Sequence, residues 1–326
     1  MQSRRAAALE LDASRHERHP LHAADRLWVE KNCYVDVWIE LLHALGLDPM
    51  AMLAFTVAVD FEGDQWTFFK PPHGDLRRLY GLDVQELYVW RPLLEHALDH
   101  LGAGRLISTE ADAYWLPDTA GTDYRRQHTK TTIILGAIDA DAGRLSYFHN
   151  AAYHTLEGED FARTFRLDAP PDPTWMPLFA EVIRCDRLRR IPEPALRALS
   201  RASLLERIEW LPADNPIRRF ERRFAADLPH IVREGLAVYH AWVFGTVRQL
   251  GAAAELAARY LDWLDPADGG LREGAAAFER ISAVSKALIL KIARTVNGGR
   301  TQDFRVNFDD LALAWDRASA RLQSLR

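Results

Sequence analysis

Apolar residues recur at helical spacing directly after Asn32. Positions 34, 37, 38, 41, 42 and 45 follow the i, i+3, i+4 rule, and Gly46 can adopt the left-handed conformation that ends a helix. Asn32 suits the N-cap because its side-chain oxygen can accept a hydrogen bond from a first-turn N–H. The pattern therefore predicts a helix over 33–45 that carries Cys33 in its first turn.

The clearest β signal lies in the middle of the chain. A β-branched, apolar run at 131–138 is followed by turn-forming residues at 139–144 and by a second alternating run at 145–150. This arrangement predicts a β-hairpin. Folding at its turn would bring His128, at the start of the first strand, and Asn150, at the end of the second, within a few residues of register.

Shorter patterns describe the rest of the first half. They predict helices at 4–11, 75–80 and 92–101, strands at 66–70 and 105–110, and either a strand or a helix at 50–59.

From Pro170 onward the pattern is almost wholly helical. The predicted helices are 177–184, 194–210, 216–227, 231–264, 271–296 and 309–325. We therefore expect an α+β protein with three parts and a linker. These are a polar lead-in at 1–26, a domain with a helix packed on an antiparallel sheet at 27–169, a proline-rich linker at 170–173 and a mainly helical domain at 174–326.

Composition and charge restrict the class of protein. The chain has 326 residues, of which 48% are apolar and 27% charged, a balance typical of globular proteins. No apolar run is long enough to span a bilayer, and residues 1–26 lack the apolar core of a secretory signal. The two cysteines, without C-x-x-C spacing, disfavour a disulfide framework or a zinc site and favour the reducing cytoplasm. The net charge of −5 gives no reason to expect nucleic acid.

A catalytic set can be assembled from Cys33, His128 and Asn150. The positive end of a helix dipole favours the thiolate form of a first-turn cysteine. A histidine can take the thiol proton, and an amide or carboxylate can orient its ring. The order Cys, His, Asn along the chain is that of papain-like cysteine enzymes. Asp112 is an alternative third member, and Gln65 is a candidate oxyanion donor.

Other readings of these residues stay open. Cys33 would be a space-filling core thiol if no base lay near it. His149 could replace His128 as the base, but adjacent strand residues face opposite ways, so only one of His149 and Asn150 can point at Cys33. No histidine has a partner at ligand spacing on one helix face, and we therefore expect no metal site.

Several longer segments resemble a bacterial family of proteins of unknown function. The segments are 32–40, 60–70, 116–122, 128–132, 147–150 and 213–220. More distantly, the first half is similar to the family of butirosin biosynthesis protein H. That family has an early cysteine, an Asp-x-x-x-Leu-Pro segment and a later histidine, which are matched here by Cys33, by Asp112 to Pro117 and by His128. Asn32 differs, because that family has a histidine before the cysteine.

The second resemblance implies a papain-like fold and a cysteine-dependent acyl or aminoacyl transfer. The acyl group would come from a carrier-protein phosphopantetheine thioester, pass to Cys33 and then move to an amine acceptor. No permanently bound cofactor is implied, since the carrier protein supplies the phosphopantetheine. The departure at Asn32 leaves the acyl group and the acceptor open.

Two basic groups are candidate docking surfaces for an acidic carrier protein, a stripe on one predicted helix and a second cluster at Arg184, Arg187, Arg189 and Arg190. Arg218, Arg219, Arg222 and Arg223 form a basic stripe on one helix. A solvated helix face is the alternative explanation of this stripe. Two further functions are compatible with the sequence, namely a cysteine peptidase or amidohydrolase and a non-catalytic adaptor that binds carrier proteins.

Overall fold

The chain forms two compact units that interleave along the sequence. The computed structural model describes residues 4–169, 174, 176–267, 270–298 and 302–326. The first unit comprises Met1–Ala23, Cys33–Asp48 and Leu76–Arg190, and the second comprises Ala24–Asn32, Pro49–Asp75 and Ile191–Arg326. The predicted linker at 170–173 lies outside the described residues.

One antiparallel sheet of seven strands dominates the described part of the first unit. Its strands are β1 (Arg5–Ala7), β2 (Asp83–Glu86), β3 (Arg105–Asp112), β4 (Lys130–Asp139), β5 (Arg144–His149), β6 (Ala152–Glu157) and β7 (Ala180–Arg184). The order across the sheet is β2-β7-β3-β4-β5-β6, and β1 also pairs with β4. The predicted hairpin is confirmed as β4 and β5, and β6 extends it by one more strand.

The helix that was predicted around the early cysteine is confirmed. The helices of the first half are α1 (Cys33–Ala44), α2 (His73–Tyr80), α3 (Leu93–Gly102) and α4 (Glu159–Thr164). Helix α1 begins at Cys33 and packs against β4 and β5. Its apolar stripe, which includes Val37, Trp38 and Leu41, is fully buried. Burial of this stripe provides the main stabilisation of α1, since a helix of this length is marginal in isolation.

The segment before α1 contributes buried charge to the first unit. The His22 ring lies 2.5 Å from Glu40 through Nδ1 and 3.0 Å from Asp36 through Nε2. His16 Nε2 lies 2.7 Å from the other oxygen of Glu40. Burial would raise the pKa of the Glu40 carboxyl, but the hydrogen bonds from His16 and His22 outweigh it and lower that pKa to about 2. The network therefore anchors the N-terminal segment to α1.

The second unit is mainly helical in its described residues. Its longer α-helices are α5 (Glu193–Ile208), α6 (Pro216–Glu234), α7 (Leu236–Val243), α8 (Gln249–Leu264), α9 (Arg272–Gly298) and α10 (Arg305–Gln323). A ten-residue 3-10 helix, Pro49–Ala58, packs against α5 and α8. An aromatic cluster around Phe220 fills part of this core, with Phe61, Trp66 and Phe308 as neighbours. The structure is thus α+β, with a mostly helical C-terminal region.

Several predicted elements were wrong in type. Residues 177–184 were predicted as a helix, but they contain strand β7, which is paired between β2 and β3. A short apolar run fits either a helix or a strand, and here its pairing within the sheet makes it a strand. Residues 4–11 contain strand β1 instead of a helix, because they pair with β4. Residues 66–70 form only an isolated bridge, between Phe61 and Trp66.

The long helix predicted at 231–264 is also wrong. Gly235 has a positive φ of 81°, which ends α6 and starts α7. A π-helical turn, Phe244–Arg248, then separates α7 from α8. The periodic pattern continues through both interruptions, so hydrophobic spacing alone could not reveal them.

Candidate functional site

Cys33 is the first residue of α1, and its side chain is partly exposed. Its Sγ lies 3.8 Å from the Thr132 hydroxyl of β4. The backbone N–H groups of a helix's first turn have no intrahelical acceptor, so they can bind a negative charge that develops near a first-turn side chain. The position therefore suits a nucleophile, as the sequence indicates.

His128 and Asp112 form a close pair in the first unit. His128 Nδ1 lies 2.5 Å from Asp112 Oδ2. Because a carboxylate accepts hydrogen bonds, this geometry puts the ring proton on Nδ1 and leaves Nε2 as the basic nitrogen. The imidazole is 70% exposed, and within the described chain Nε2 has no hydrogen-bond partner. An oriented imidazole with a free Nε2 is what a general base requires.

Two further contacts fix the orientation of this pair. The His128 ring stacks on Tyr114, with ring centroids 4.4 Å apart and planes inclined by 17°. The Tyr114 backbone N–H donates to the other oxygen of Asp112 at 3.1 Å. The segment that carries His128 is held by Asp123, which accepts hydrogen bonds from Gln127 and Thr129.

The strand register places Cys33 and the His128–Asp112 pair toward the same face of the sheet. Asp112 pairs with Lys130, and Glu110 pairs with Thr132. Alternate residues share a face, so Asp112 and Thr132 project on the same side, where Thr132 meets Cys33 Sγ. His128 precedes Thr132 by four residues, which corresponds to a separation of up to about 13 Å in extended chain. Among the described residues, Cys33 Sγ forms its hydrogen bond with Thr132 and not with His128.

Asn150 occupies a turn and is not the hydrogen-bond partner of His128. It follows β5 with a φ of +46°. The pairing of β4 with β5 ends at Ile133 and His149, so Asn150 lies one residue past that pair, whereas His128 lies five residues before Ile133. The sequence pattern predicts the hairpin ends in approximate register, but the offset of four residues separates Asn150 from the His128 ring, and Asp112 lies beside the ring instead.

His149 lies on the opposite face of the sheet in a buried network. Its Nε2 lies 2.8 Å from the Thr131 hydroxyl, and its Nδ1 lies 2.5 Å from Asp118 Oδ2. Tyr147 also donates to Asp118. Burial would raise the pKa of Asp118, but the hydrogen bond and charge of His149 outweigh it and lower that pKa. Both His149 and Thr131 are buried, so the hydroxyl and the imidazole of this set are shielded from solvent.

Sequence reasoning missed Asp118 as a structural residue. The available signal was its place in the 116–122 segment, which carries part of the family resemblance. The hydrogen bond between Asp118 and His149 of β5 holds the loop that carries Tyr114, whose ring stacks on His128. Asp118 therefore supports the site from the opposite face of the sheet.

Gln65 and the arginine stripe belong to the second unit. Gln65 is exposed, in the turn between Phe61 and Trp66. Its assignment as an oxyanion donor stays a prediction.

The arginine stripe on α6 is largely ion-paired. Arg218 binds Glu221 and Asp309, both at 2.8 Å, and Arg223 binds Asp227 at 2.8 Å. Arg219 binds Asp60 at 2.5 Å and Asp214 at 2.9 Å. Within the described chain, Arg222 is exposed without an ion pair. Docking of an acidic partner on this stripe stays a prediction.

Two other features are absent from the described residues. No described helix has the length and apolar character that crossing a membrane would require. No group of three or more His, Cys, Asp and Glu side chains in the described ranges is arranged to hold a metal ion.

The fold and the site define an α+β protein in which a cysteine at the start of a helix and an imidazole–carboxylate pair lie toward one face of an antiparallel sheet. The chain belongs to the DUF1839 family. Residues 17–185 match the model of the DUF1839 N-terminal domain, and residues 193–324 match that of the DUF1839 C-terminal domain. A comparison with curated proteins found no match.

Proposed function

We propose that this protein is a cysteine-dependent acyltransferase, in which Cys33 is the nucleophile and His128, oriented by Asp112, is the base. The observation that carries the proposal is the 2.5 Å contact between His128 Nδ1 and Asp112, which leaves Nε2 exposed and basic. The start of α1 supplies backbone donors beside Cys33. The resemblance of the motifs at Cys33, Asp112–Pro117 and His128 to the family of butirosin biosynthesis protein H is the reason for proposing a papain-like arrangement and a carrier-protein thioester as donor.

The first half-reaction exchanges one thioester for another. Cys33 Sγ attacks the carbonyl carbon of the donor thioester, an S–C bond forms, and the negative charge moves to the carbonyl oxygen. The bond from carbon to the phosphopantetheine sulfur then breaks. His128 Nε2 takes the proton of the Cys33 thiol and gives it to the leaving sulfur, and the acyl group stays activated on Cys33.

The second half-reaction forms the amide. An acceptor amine attacks the Cys33 thioester carbon, and His128 Nε2 takes a proton from the nitrogen as the C–N bond forms. The C–S bond to Cys33 breaks, and the proton on the imidazole returns to the thiolate. In this scheme Nε2 contacts the sulfur of Cys33, the leaving sulfur and the nitrogen of the acceptor amine in turn.

The lack of a hydrogen bond between Cys33 and His128 in the described residues is compatible with this scheme. Catalytic hydrogen bonds are often long in unliganded enzymes and shorten when the substrate is bound. An acyl group on Sγ replaces the bond to Thr132, since a thioester sulfur carries no proton to donate.

The test is intact-protein mass spectrometry after incubation with an aminoacylated carrier protein. We expect a mass increase of one aminoacyl group on the wild-type chain and on Cys185→Ser, and none on Cys33→Ser. The adduct should persist in buffer and be released as an amide when an amine is added. An adduct lost equally fast without amine would indicate a hydrolase instead, and binding of the carrier without any adduct would indicate an adaptor.

A further inference from the structure

A cavity lies next to Asp112. It has a volume of about 720 Å³ and lies within the first unit. Pockets of this size accommodate ligands of drug-like dimensions. Asp112 belongs to its lining and also holds His128, so the cavity opens directly beside the imidazole–carboxylate pair.

The lining combines aromatic surface with positive charge. Trp90, Trp115 and Phe165 contribute aromatic rings, and Arg91, Arg163 and Arg166 contribute guanidinium groups. Asp112 is the one carboxylate among the described lining residues, so cations exceed anions there by three to one. Such a lining favours a ligand with an apolar body and an anionic group.

Two of the arginines are fixed in position. Arg163 binds Asp168 at 2.9 Å, and its guanidinium lies 5.2 Å from the Trp115 ring centroid. Arg91 binds Asp99 at 2.5 Å and lies 5.2 Å from the Trp90 ring centroid. Neither acidic partner lines the cavity. Because these guanidinium groups are already held in place, they lose less side-chain entropy when an anion binds.

Trp90 gives a second indication of a ligand. Its side chain is 70% exposed at the cavity, although tryptophan is highly buried on average in folded proteins. Leu178, which also lines the cavity, is an exposed apolar side chain. Exposed apolar surface around a concave site is typical of ligand-binding grooves.

We propose that this cavity binds an amphipathic organic acid, with an aromatic or branched apolar body against Trp90 and Trp115 and its anionic group toward Arg163. The assignment of this ligand as the acyl group that Cys33 transfers rests on the proposed function. The cavity then selects acyl groups that carry an apolar body and a second, anionic function.

The binding test uses two fluorescent probes with the same aromatic body. One is 1-anilinonaphthalene-8-sulfonate, which is anionic, and the other is N-phenyl-1-naphthylamine, which is neutral. We expect one sulfonate probe per chain. Trp90→Ala should weaken the binding of both probes about tenfold, whereas Arg163→Gln should weaken only the sulfonate probe, by about five- to tenfold.

Matched substitutions outside the cavity serve as controls. Trp210 is as exposed as Trp90, and Arg144 is an exposed, ion-paired arginine like Arg163. Trp210→Ala and Arg144→Gln should leave the affinity for both probes unchanged. Circular dichroism checks that each variant is folded. Equal loss of both probes in Arg163→Gln, or no loss in Trp90→Ala, would overturn the proposal.

Competition identifies the part of a donor that the cavity takes. We expect 3-phenylpropionate, an apolar acid, to displace the sulfonate probe at lower concentration than phosphopantetheine. The reverse order would assign the cavity to the carrier's arm and overturn the acyl assignment. Cys33→Ser should bind the probe normally. Probe binding without acyl transfer would therefore refute the proposed function alone, and acyl transfer insensitive to Trp90→Ala and Arg163→Gln would refute this inference alone.

Discussion

Nδ1 of His128 lies 2.5 Å from Oδ2 of Asp112, and the backbone N–H of Tyr114 holds the other oxygen of the same carboxylate. Both interactions act on a side chain at the end of β3, which is hydrogen-bonded to β4 just after His128. The Asp112 carboxylate is therefore held in place by contacts other than the imidazole. The pairing determines which ring nitrogen can receive a proton.

We expect Asp112→Asn to lower kcat/KM for acyl transfer by about 10² to 10⁴-fold. The asparagine oxygen can still accept from the Tyr114 N–H, so the loop should keep its structure. The amide cannot impose the Nδ1–H tautomer, and Nε2 would then carry the proton in much of the population. The measurement is amide formation from an aminoacylated carrier protein, with the imidazole tautomer followed by ¹⁵N NMR.

Glu110→Gln is the matched control for that substitution. Glu110 lies two residues earlier on β3 and binds Lys130 at 3.2 Å, without contact to His128. Loss of the Glu110 carboxylate charge should change kcat/KM less than tenfold. Equal effects of Asp112→Asn and Glu110→Gln would mean that the carboxylate charge matters and the hydrogen bond does not.

Asn150 gives a second, independent prediction. Its φ of +46° lies in the left-handed region, which glycine adopts without strain. Asn150→Gly should therefore leave activity unchanged and the free energy of unfolding within about 0.5 kcal/mol, whereas Asn150→Val should destabilise the fold by about 1–2 kcal/mol. The checks are urea unfolding and the acyl-transfer assay. A large activity loss in a stably folded Asn150→Gly would restore Asn150 as a catalytic residue.

The two cysteines should differ in reactivity. Burial, with a smaller contribution from the charge of Asp186, raises the pKa of the Cys185 thiol to about 11. At pH 8 only about one Cys185 in a thousand would be a thiolate, the form that reacts with alkylating agents. We expect iodoacetamide to modify one cysteine per chain, Cys33, as located by peptide mass spectrometry. Cys185→Ser should react at the wild-type rate, and preferential labelling of Cys185 would contradict the assignment.

The buried network around Glu40 should make stability depend on acidic pH. The pKa of Glu40 falls from an ordinary value of 4.5 to about 2 in the folded chain. A lowered carboxyl pKa stabilises the folded state above the unfolded pKa, and this contribution is lost as the pH falls from about 4.5 toward 2. Its size is about 3 kcal/mol at neutral pH.

Glu40→Gln should therefore lower the free energy of unfolding at pH 7 and flatten its dependence on pH between 5 and 3. Urea unfolding of the wild type and the variant at several pH values measures the difference. Glu157→Gln, an exposed carboxylate on β6, is the control and should follow the wild-type curve. A pH slope in Glu40→Gln that equals the wild-type slope would show that the network does not titrate with folding.

The sequence predicts local elements of this protein better than it predicts its long-range pairings. The α1 pattern and the β4–β5 hairpin are readable because each rests on short-range periodicity and turn chemistry. Strand β7 has no such signal, since its five residues become a strand only through β2 and β3. Where the local preference for helix or strand was weak, pairing with strands distant in the sequence therefore determined the secondary structure.

The same distinction applies to the site. Cys33, His128 and Asp112 were all identified as candidates from residue type and position. The sequence could not choose between Asp112 and Asn150, because that choice depends on a four-residue offset in strand register. The role of Asp118 could not be predicted, because its partners, Tyr147 and His149, come from a strand about thirty residues away.

The interleaving of the two units limits how this protein can be dissected for experiments. A single cut after Arg190 would give an N-terminal fragment that still carries two pieces of the second unit, 24–32 and 49–75, and a C-terminal fragment that lacks both. A fragment that begins at residue 27 would also lose His16 and His22, leaving the buried Glu40 without its two imidazole partners. Expression of either unit alone calls for a redesigned chain order, such as a circular permutation or an engineered shortcut between the retained pieces.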